Sequence, residues 1–475
     1  MARRPEARRR GAVVLATAAA VAAAAAAYAR NEFEARIEAN ASYTDNVEFA
    51  SKGHERISDF IFELVPGFSL IHESDWLEAD VEYELQSLHY SEDDELSQTY
   101  HNAALGVALR VVPQWFSVIV DGHYGQRVVE PERTLNFDNL FITGNLMDES
   151  SLSVTPTLAH EFRNVAIEAG YTYGVVDYSG VTTQGDVDDA ERRGYHLRLA
   201  SPDDDRRWPW EITYRAEDVT YETALPYTYE NVGVLFGMPL GSRLTLLASG
   251  GSESDLTEST TEGGLNSGYW RTGLRLERDP RTEFEVWFGH RFFGDSYQVR
   301  LSRRARVLRL TAAYSEEPQT ESERVMRLPT DSESGVSLPL DDPRFRPTSE
   351  PYLLKAAEVA AAFEGHRTTV TLMAFRYDQD YLRSDRGEEN NGISLRIERR
   401  FGPRTIGSME LRGWRTYFAE HAEESDDEAM VTLLLTRAVS ERLSLSARAV
   451  HIRREGPSAG RSDVSVVTLG LTRTF

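Results

Sequence analysis

The stretch Trp76-Leu-Glu-Ala-Asp-Val-Glu-Tyr-Glu-Leu-Gln-Ser-Leu-His-Tyr90 decides the fold. Leu77, Ala79, Val81, Tyr83 and Leu85 alternate with Glu78, Asp80, Glu82, Glu84 and Gln86. A period of two is a strand with one apolar and one wet face. Carboxylates cost about 2–3 kcal/mol each at mid-depth in hydrocarbon, so if the apolar row meets lipid, the acids must face a lumen.

The same metre runs from Phe33 to Phe475. Phe33, Ala35, Ile37, Ala39, Ala41 and Tyr43 alternate as a first strand, and Val467, Leu469 and Leu471 as a last one. Between them short turns take turns with longer polar loops. Val112-Pro113-Gln114, Gly241-Ser242-Arg243, Gly365-His366-Arg367 and Gly402-Pro403-Arg404 are tight connections, rich in the residues that a hairpin requires. The expected fold is all-β: a transmembrane antiparallel up-and-down β-barrel of about 22 strands, within roughly 18 to 24. Short turns belong to the periplasmic side and long loops to the outside. Pro66-Gly67 lies inside the second strand, where a missing donor predicts a bulge.

The ends agree with this reading. Arg3, Arg4, Arg8, Arg9 and Arg10 precede an Ala- and Val-rich stretch that closes on Ala27-Tyr28-Ala29, which predicts a signal peptide over 1–29 and a barrel over 30–475. A C-terminal strand ending in Phe475 resembles the signal read by the barrel assembly machinery, with Arg473 departing from the usual apolar residue. The expected location is the bacterial outer membrane.

The chain carries a formal charge of −24, from 52 basic and 76 acidic residues, and the signal peptide holds five Arg against Glu6 alone. Nucleic acid is therefore excluded as a partner. Cys is absent, as suits a protein passing through an oxidising compartment without a disulfide plan. Acids bunch at Glu92 to Glu95, Asp186 to Glu191, Glu253 to Glu262 and Glu420 to Glu428. They read either as solvated loop tips or as Ca²⁺ or Mg²⁺ bridges to lipopolysaccharide phosphates. No run has EF-hand spacing, and neither a metal site nor a cofactor is expected.

Ala41-Ser-Tyr43-Thr-Asp45-Asn46-Val47, followed by Val65-Pro66-Gly67-Phe68-Ser-Leu70 and a strand closing on Leu88-His-Tyr90, resembles the β-barrel porin families of Gram-negative bacteria. It is particularly similar to the outer-membrane proteins associated with PEP-CTERM and exopolysaccharide loci. Gly144-Asn145 with Val154–Pro156, and Tyr314-Ser-Glu316-Glu317, extend the likeness more loosely. The resemblance implies an outer-membrane barrel encoded with surface-polysaccharide or protein-sorting machinery, with polysaccharide-export components as partners. It hands over no catalytic residues.

Catalytic motifs are missing from the sequence: no P-loop, no Gly-x-Ser-x-Gly, no HExxH. Asp121 and His123 share a strand face without a nucleophile beside them, so no enzymatic activity is expected. What remains is the lumen. Glu78, Asp80, Glu82 and Glu84 would form an acidic wall. Arg271, Arg275, Arg300, Arg309, Arg396, Arg400 and Arg412, interleaved with Glu398 and Glu410, would form a basic-leaning one. Opposed walls either select charged solutes across a transverse field or pair into a filling that closes the pore. The expected function is a porin-like channel for hydrophilic solutes or for exopolysaccharide export. The alternative is a closed structural barrel that anchors matrix or envelope components, with lipid and lipopolysaccharide as surroundings in either case. Two long loops, Arg127 to Glu149 and Glu316 to Pro351, either fold into the mouth or stand outside it.

Overall fold

The computed structural model describes residues 30–92, 96–131, 138–141, 145–180, 187–202, 208–256, 264–279, 281–326, 345–384, 386–418, 424–457 and 460–475. The expected signal peptide lies outside them. The first third of the wall is β1 (Arg30–Thr44), β2 (Asp59–Glu73), β3 (Leu77–Tyr90), β4 (Gln98–Val112), β5 (Phe116–Val128), β6 (Leu146–Glu161) and β7 (Ala166–Ser179). Then follow β8 (Ala190–Ala200), β9 (Trp210–Tyr221), β10 (Tyr227–Pro239), β11 (Leu244–Glu253), β12 (Ser267–Asp279), β13 (Thr282–Arg291), β14 (Gly294–Arg304) and β15 (Leu308–Gln319). After a short helix, α1 (Glu321–Met326), come β16 (Tyr352–Glu364), β17 (Thr368–Tyr381), β18 (Gly387–Gly402), β19 (Thr405–Tyr417), β20 (Asp426–Ser440), β21 (Leu443–Gly456) and β22 (Gly460–Thr474).

Each strand pairs antiparallel with its neighbours in sequence, and β1 also pairs with β22, Arg36 opposite Thr474 and Thr44 opposite Val466. That last ladder closes the sheet into a 22-stranded barrel with no free edge. Pro66 causes no bulge. The β2–β3 register is the same on both sides of it, Leu64 opposite Ser87 and Gly67 opposite Glu84, and Pro66 still faces Ile37 of β1. One missing donor removes local pairing without adding a residue, which a bulge would need. Register shifts occur instead beside four short turns, at Arg110/Val112, Glu277/Asp279, Arg400/Gly402 and Ala438/Ser440.

Alternation fixes the two faces of the wall. Phe33 and Leu469 are each 63% exposed and belong to an outward row that includes Phe60, Phe62, Val234, Phe236, Ile393, Leu433 and Val467. A closed barrel without a free edge that presents such an apolar belt is a membrane-spanning solution. Aromatic pairs mark its edges: Trp115 stacks on His160 with centroids 3.7 Å apart, and Trp208 on Phe236 at 5.6 Å. An even-numbered antiparallel barrel with long and short connections on opposite ends is the outer-membrane type, and the outer membrane is where this chain resides.

Candidate functional site: the lumen and its inward loops

The register places all eleven charged positions expected at the lumen on the inward face. Glu78, Asp80, Glu82 and Glu84 share a face with Gln86, which bonds a loop inside the barrel. Arg275 and Arg300 lie in one cross-strand row through Glu285, and Arg271 lies two inward positions further along β12, 5.5 Å over the Trp287 ring. Arg309, Arg396, Arg400 and Arg412 continue the inward face of β15, β18 and β19. β3 and β14 are eleven strands apart in a ring of 22, so the acids and Arg300 stand on opposite walls.

The wall expected to lean basic is largely balanced by its own acids. Arg275 Nε donates to Glu285 at 2.6 Å, and Arg309 pairs with Glu364 at 3.3 Å. Arg396 lies 3.9 Å from Glu398, and Arg412 donates to Glu410. On the acidic side, Arg36 bridges Glu84 and Arg110 pairs with Glu78 at 3.2 Å, while Asp80 and Glu82 stay exposed. The contacts run along the wall, within a strand or between near neighbours, and among the described residues these charges make no bridge from one wall to the other. Inward-facing groups that remain exposed imply a water-filled vestibule, and its excess charge is negative.

The outer half of the lumen is different, because the described parts of both long loops fold inward. The β5–β6 loop turns toward the seam between β1 and β22. Asn139 donates to Gln86 at 2.7 Å, Tyr90 to the Leu140 carbonyl at 3.2 Å, and Arg448 of β21 holds Asp138. Leu140 and Phe141 pack on Val47, Phe49, Ile61, Leu88 and Ile452, an apolar cluster inside the barrel. That burial fixes the loop there, since the same side chains in the lumen would otherwise face water.

The β15–β16 loop crosses to the other side. Its helix α1 lies against β6, β7 and β8, with Val325 and Met326 packed on Val176. Glu321 is 4% exposed and bonds both Arg127 of β5 and Arg324 of its own helix, the latter at 2.5 Å; Arg127 also reaches Glu149 of β6 at 2.9 Å. Glu323, 1% exposed, pairs with Arg215 of β9, which reaches Glu217 at 3.0 Å, and Glu217 accepts from Arg192. Burial opposes the charged form of the Glu321 carboxyl, but Arg127 and Arg324 outweigh it and hold the group below its usual range. Beside the helix, Arg291 joins Glu253 at 2.8 Å, Glu317 at 3.1 Å and the Tyr229 hydroxyl at 3.2 Å. Glu253 thus opens one of the acidic runs but is fully buried, not a solvated loop tip. The returning segment packs Phe345 against Tyr377 of β17, with ring centroids 6.0 Å apart.

None of these anchoring residues was singled out from the sequence. The Glu321/Glu323 pair is a local signal of two acids on a short helix, but their partners on the wall, Arg127 and Arg215, are about a hundred or more residues away. Among the described residues no group of three or more His, Asp or Glu side chains could hold a metal ion.

No family model matches the sequence, and no curated protein matches it. Among solved structures the chain is similar in fold to OpdK of Pseudomonas aeruginosa crystallised with vanillate (10% identity, 94% of this chain and 99% of that one, TM-score 0.37). It is also similar to OccAB3 of Acinetobacter baumannii (11%, 94% and 100%, TM-score 0.37). A mutant of the ferric enterobactin receptor PfeA of Pseudomonas aeruginosa is similar at 11% identity, over 94% of this chain and 80% of that one, with a TM-score of 0.42. From its own ladder and faces, the chain is a 22-strand outer-membrane β-barrel with an acidic, water-exposed periplasmic vestibule and an outer half occupied by its own loops.

Proposed function

We propose that the protein is a porin-like channel for hydrophilic solutes, with a preference for cations. The observation that carries this reading is the exposure of the inward-facing carboxylates Asp80 and Glu82. A barrel filled to exclude solvent would bury or pair them, since an unpaired buried charge is strongly disfavoured. Opposite them the arginines are mostly neutralised by neighbouring acids, so cations meet the lower barrier. Passage of exopolysaccharide, alongside PEP-CTERM machinery, is the finer form of the proposal and rests on the sequence resemblance alone.

The inward loops favour a second reading, a closed barrel that anchors envelope components. One measurement separates the two: single-channel conductance of the refolded chain in a planar bilayer under a salt gradient. Stable current steps with a cation-selective reversal potential support the channel. A folded, inserted and silent barrel refutes it and leaves the structural reading.

A further inference from the structure

The outer surface of the barrel is not the same all round. On β17 to β22 the apolar rows give way to a ladder of charges. Arg376, Asn391, Arg415, Asp427, Glu455 and Arg461 are successive cross-strand partners on the outward face, one residue from each strand. The row beneath it is Ala374, Ile393, Gly413 and Ala429, rising to charge at Arg453 and Asp463 on the last two strands. The tilt of barrel strands against the membrane produces such a slanted front. Lys355 on β16 and Arg56 in the β1–β2 loop extend the sector at its two ends, paired with Asp380 and Asp463 at 2.7 Å each.

Every cation in this ladder with a known partner is paired sideways and still open outward. Arg376 contacts Asp378 and Glu389 at 3.2 Å, Arg415 contacts Asp427 at 2.5 Å, and Arg453 contacts Glu455 at 3.4 Å, yet the three side chains remain 56%, 52% and 51% exposed. Elsewhere on the wall such groups are sparse. On β9 to β14 the outward positions above the apolar rows include Asp218, Glu230, Ser252, Gly268, His290 and Asp295, with neither Arg nor Lys among the described residues, and on β8 Arg193 is a single outward cation, paired with Glu191 at 2.5 Å. The ladder spans on the order of 25 Å of circumference, at the strand spacing of a sheet.

We infer that the β17–β22 sector is a docking surface for the phosphorylated headgroup of an outer-leaflet glycolipid. Its position just beyond the apolar rows puts the guanidinium groups at headgroup height. Their planar donor forks match phosphate oxygens, and the intervening carboxylates match the divalent cations that accompany crowded phosphates. A surface of alternating sign fits that mixed layer better than a purely basic one, and the concentration of its cations on one arc marks a defined contact in place of a uniform lipid shell. The inference rests on the outer-membrane fold and is independent of the channel reading. A silent barrel that binds the lipid would keep the first and refute the second.

The test uses full-length protein purified from membranes, with bisphosphorylated lipid A in mixed detergent micelles as probe. Retention is read by native mass spectrometry and affinity by titration. The triple variant Arg376→Gln/Arg415→Gln/Arg453→Gln should bind on the order of 100-fold more weakly, and Arg193→Gln on β8 should bind as the wild type. Dephosphorylated lipid A should bind wild type as weakly as the intact lipid binds the triple variant. Inorganic phosphate should not compete. Equal retention by the triple variant, an equal loss in Arg193→Gln, or displacement by free phosphate would each overturn the proposal. Should the triple variant lose the gel-mobility shift of a folded barrel, Asp378→Asn/Asp427→Asn/Glu455→Gln supplies the complementary test: binding measured without divalent cations should tighten, and unchanged or weaker binding overturns the inference.

Discussion

Arg127→Gln should release the β15–β16 loop from the barrel wall. Arg127 lies at the outer end of β5 and holds Glu149 of β6 and Glu321 of the loop helix together. Both carboxylates are at most 10% exposed. Without the guanidinium they share Arg324 alone. Breaking a buried pair by removing one partner costs about 3–5 kcal/mol. At about 1.4 kcal/mol per tenfold change, the docked-to-undocked ratio falls by roughly two to four orders of magnitude. The barrel should survive, because its ladders do not use these side chains. Two assays report the change. Single-channel recordings should show larger or additional conductance levels. Trypsin, which cannot reach Arg324 while it is buried, should cut after it in the variant. Arg127→Gln/Glu321→Gln should lose less than the two single changes combined, since the second substitution removes the orphaned charge. Unchanged conductance together with an uncut Arg324 would show that these ion pairs do not hold the loop.

The same cluster predicts an acid response. The Glu321 carboxyl is held below its ordinary value of 4.5, so its contribution to docking is complete above that pH and is lost as pH falls through the lowered value. Channel behaviour should be flat from pH 8 to 5 and change only below about 4.5; a transition near neutrality would assign the response to another group. In the vestibule, Asp80→Asn/Glu82→Gln should cut the cation preference by more than half with conductance steps retained, and a reversal potential that does not move would place the selective charges elsewhere. Arg291→Met leaves Glu253 buried against the Tyr229 hydroxyl without a cation and should destabilise the folded barrel by about 3–5 kcal/mol in urea unfolding, whereas a loss under 1 kcal/mol would refute a stabilising role for this ion pair. On the last strand, Leu469→Arg should cost about 2–4 kcal/mol and Thr468→Arg far less, because one faces lipid and the other the lumen. Equal costs would refute the assignment of faces.

The sequence by itself determined the wall. Period-two alternation is a local property, written within each segment, so strand number, strand faces and the inward position of Glu78, Asp80, Glu82 and Glu84 were all legible before any coordinates. Some pairings were nearly so: Glu410 and Arg412, or Arg396 and Glu398, are two residues apart on one face. The pairing of Arg275 with Glu285 needed the register of β12 against β13, which turn geometry sets. What only the tertiary structure decided is the inside of the outer half. Arg127 and Glu321 are nearly 200 residues apart, and Arg454 of β21 donates to the Pro131 carbonyl in the β5–β6 loop across 323 residues of sequence. No periodicity links such groups, because they meet only once the sheet has closed and brought distant walls within reach of a single loop. The Pro-rich, charged composition of the β15–β16 loop fits solvent equally well. It folds inward because the wall already presents Arg127 and Arg215 as partners for its two glutamates, and a desolvated pair with partners in place holds a geometry that neither segment encodes alone.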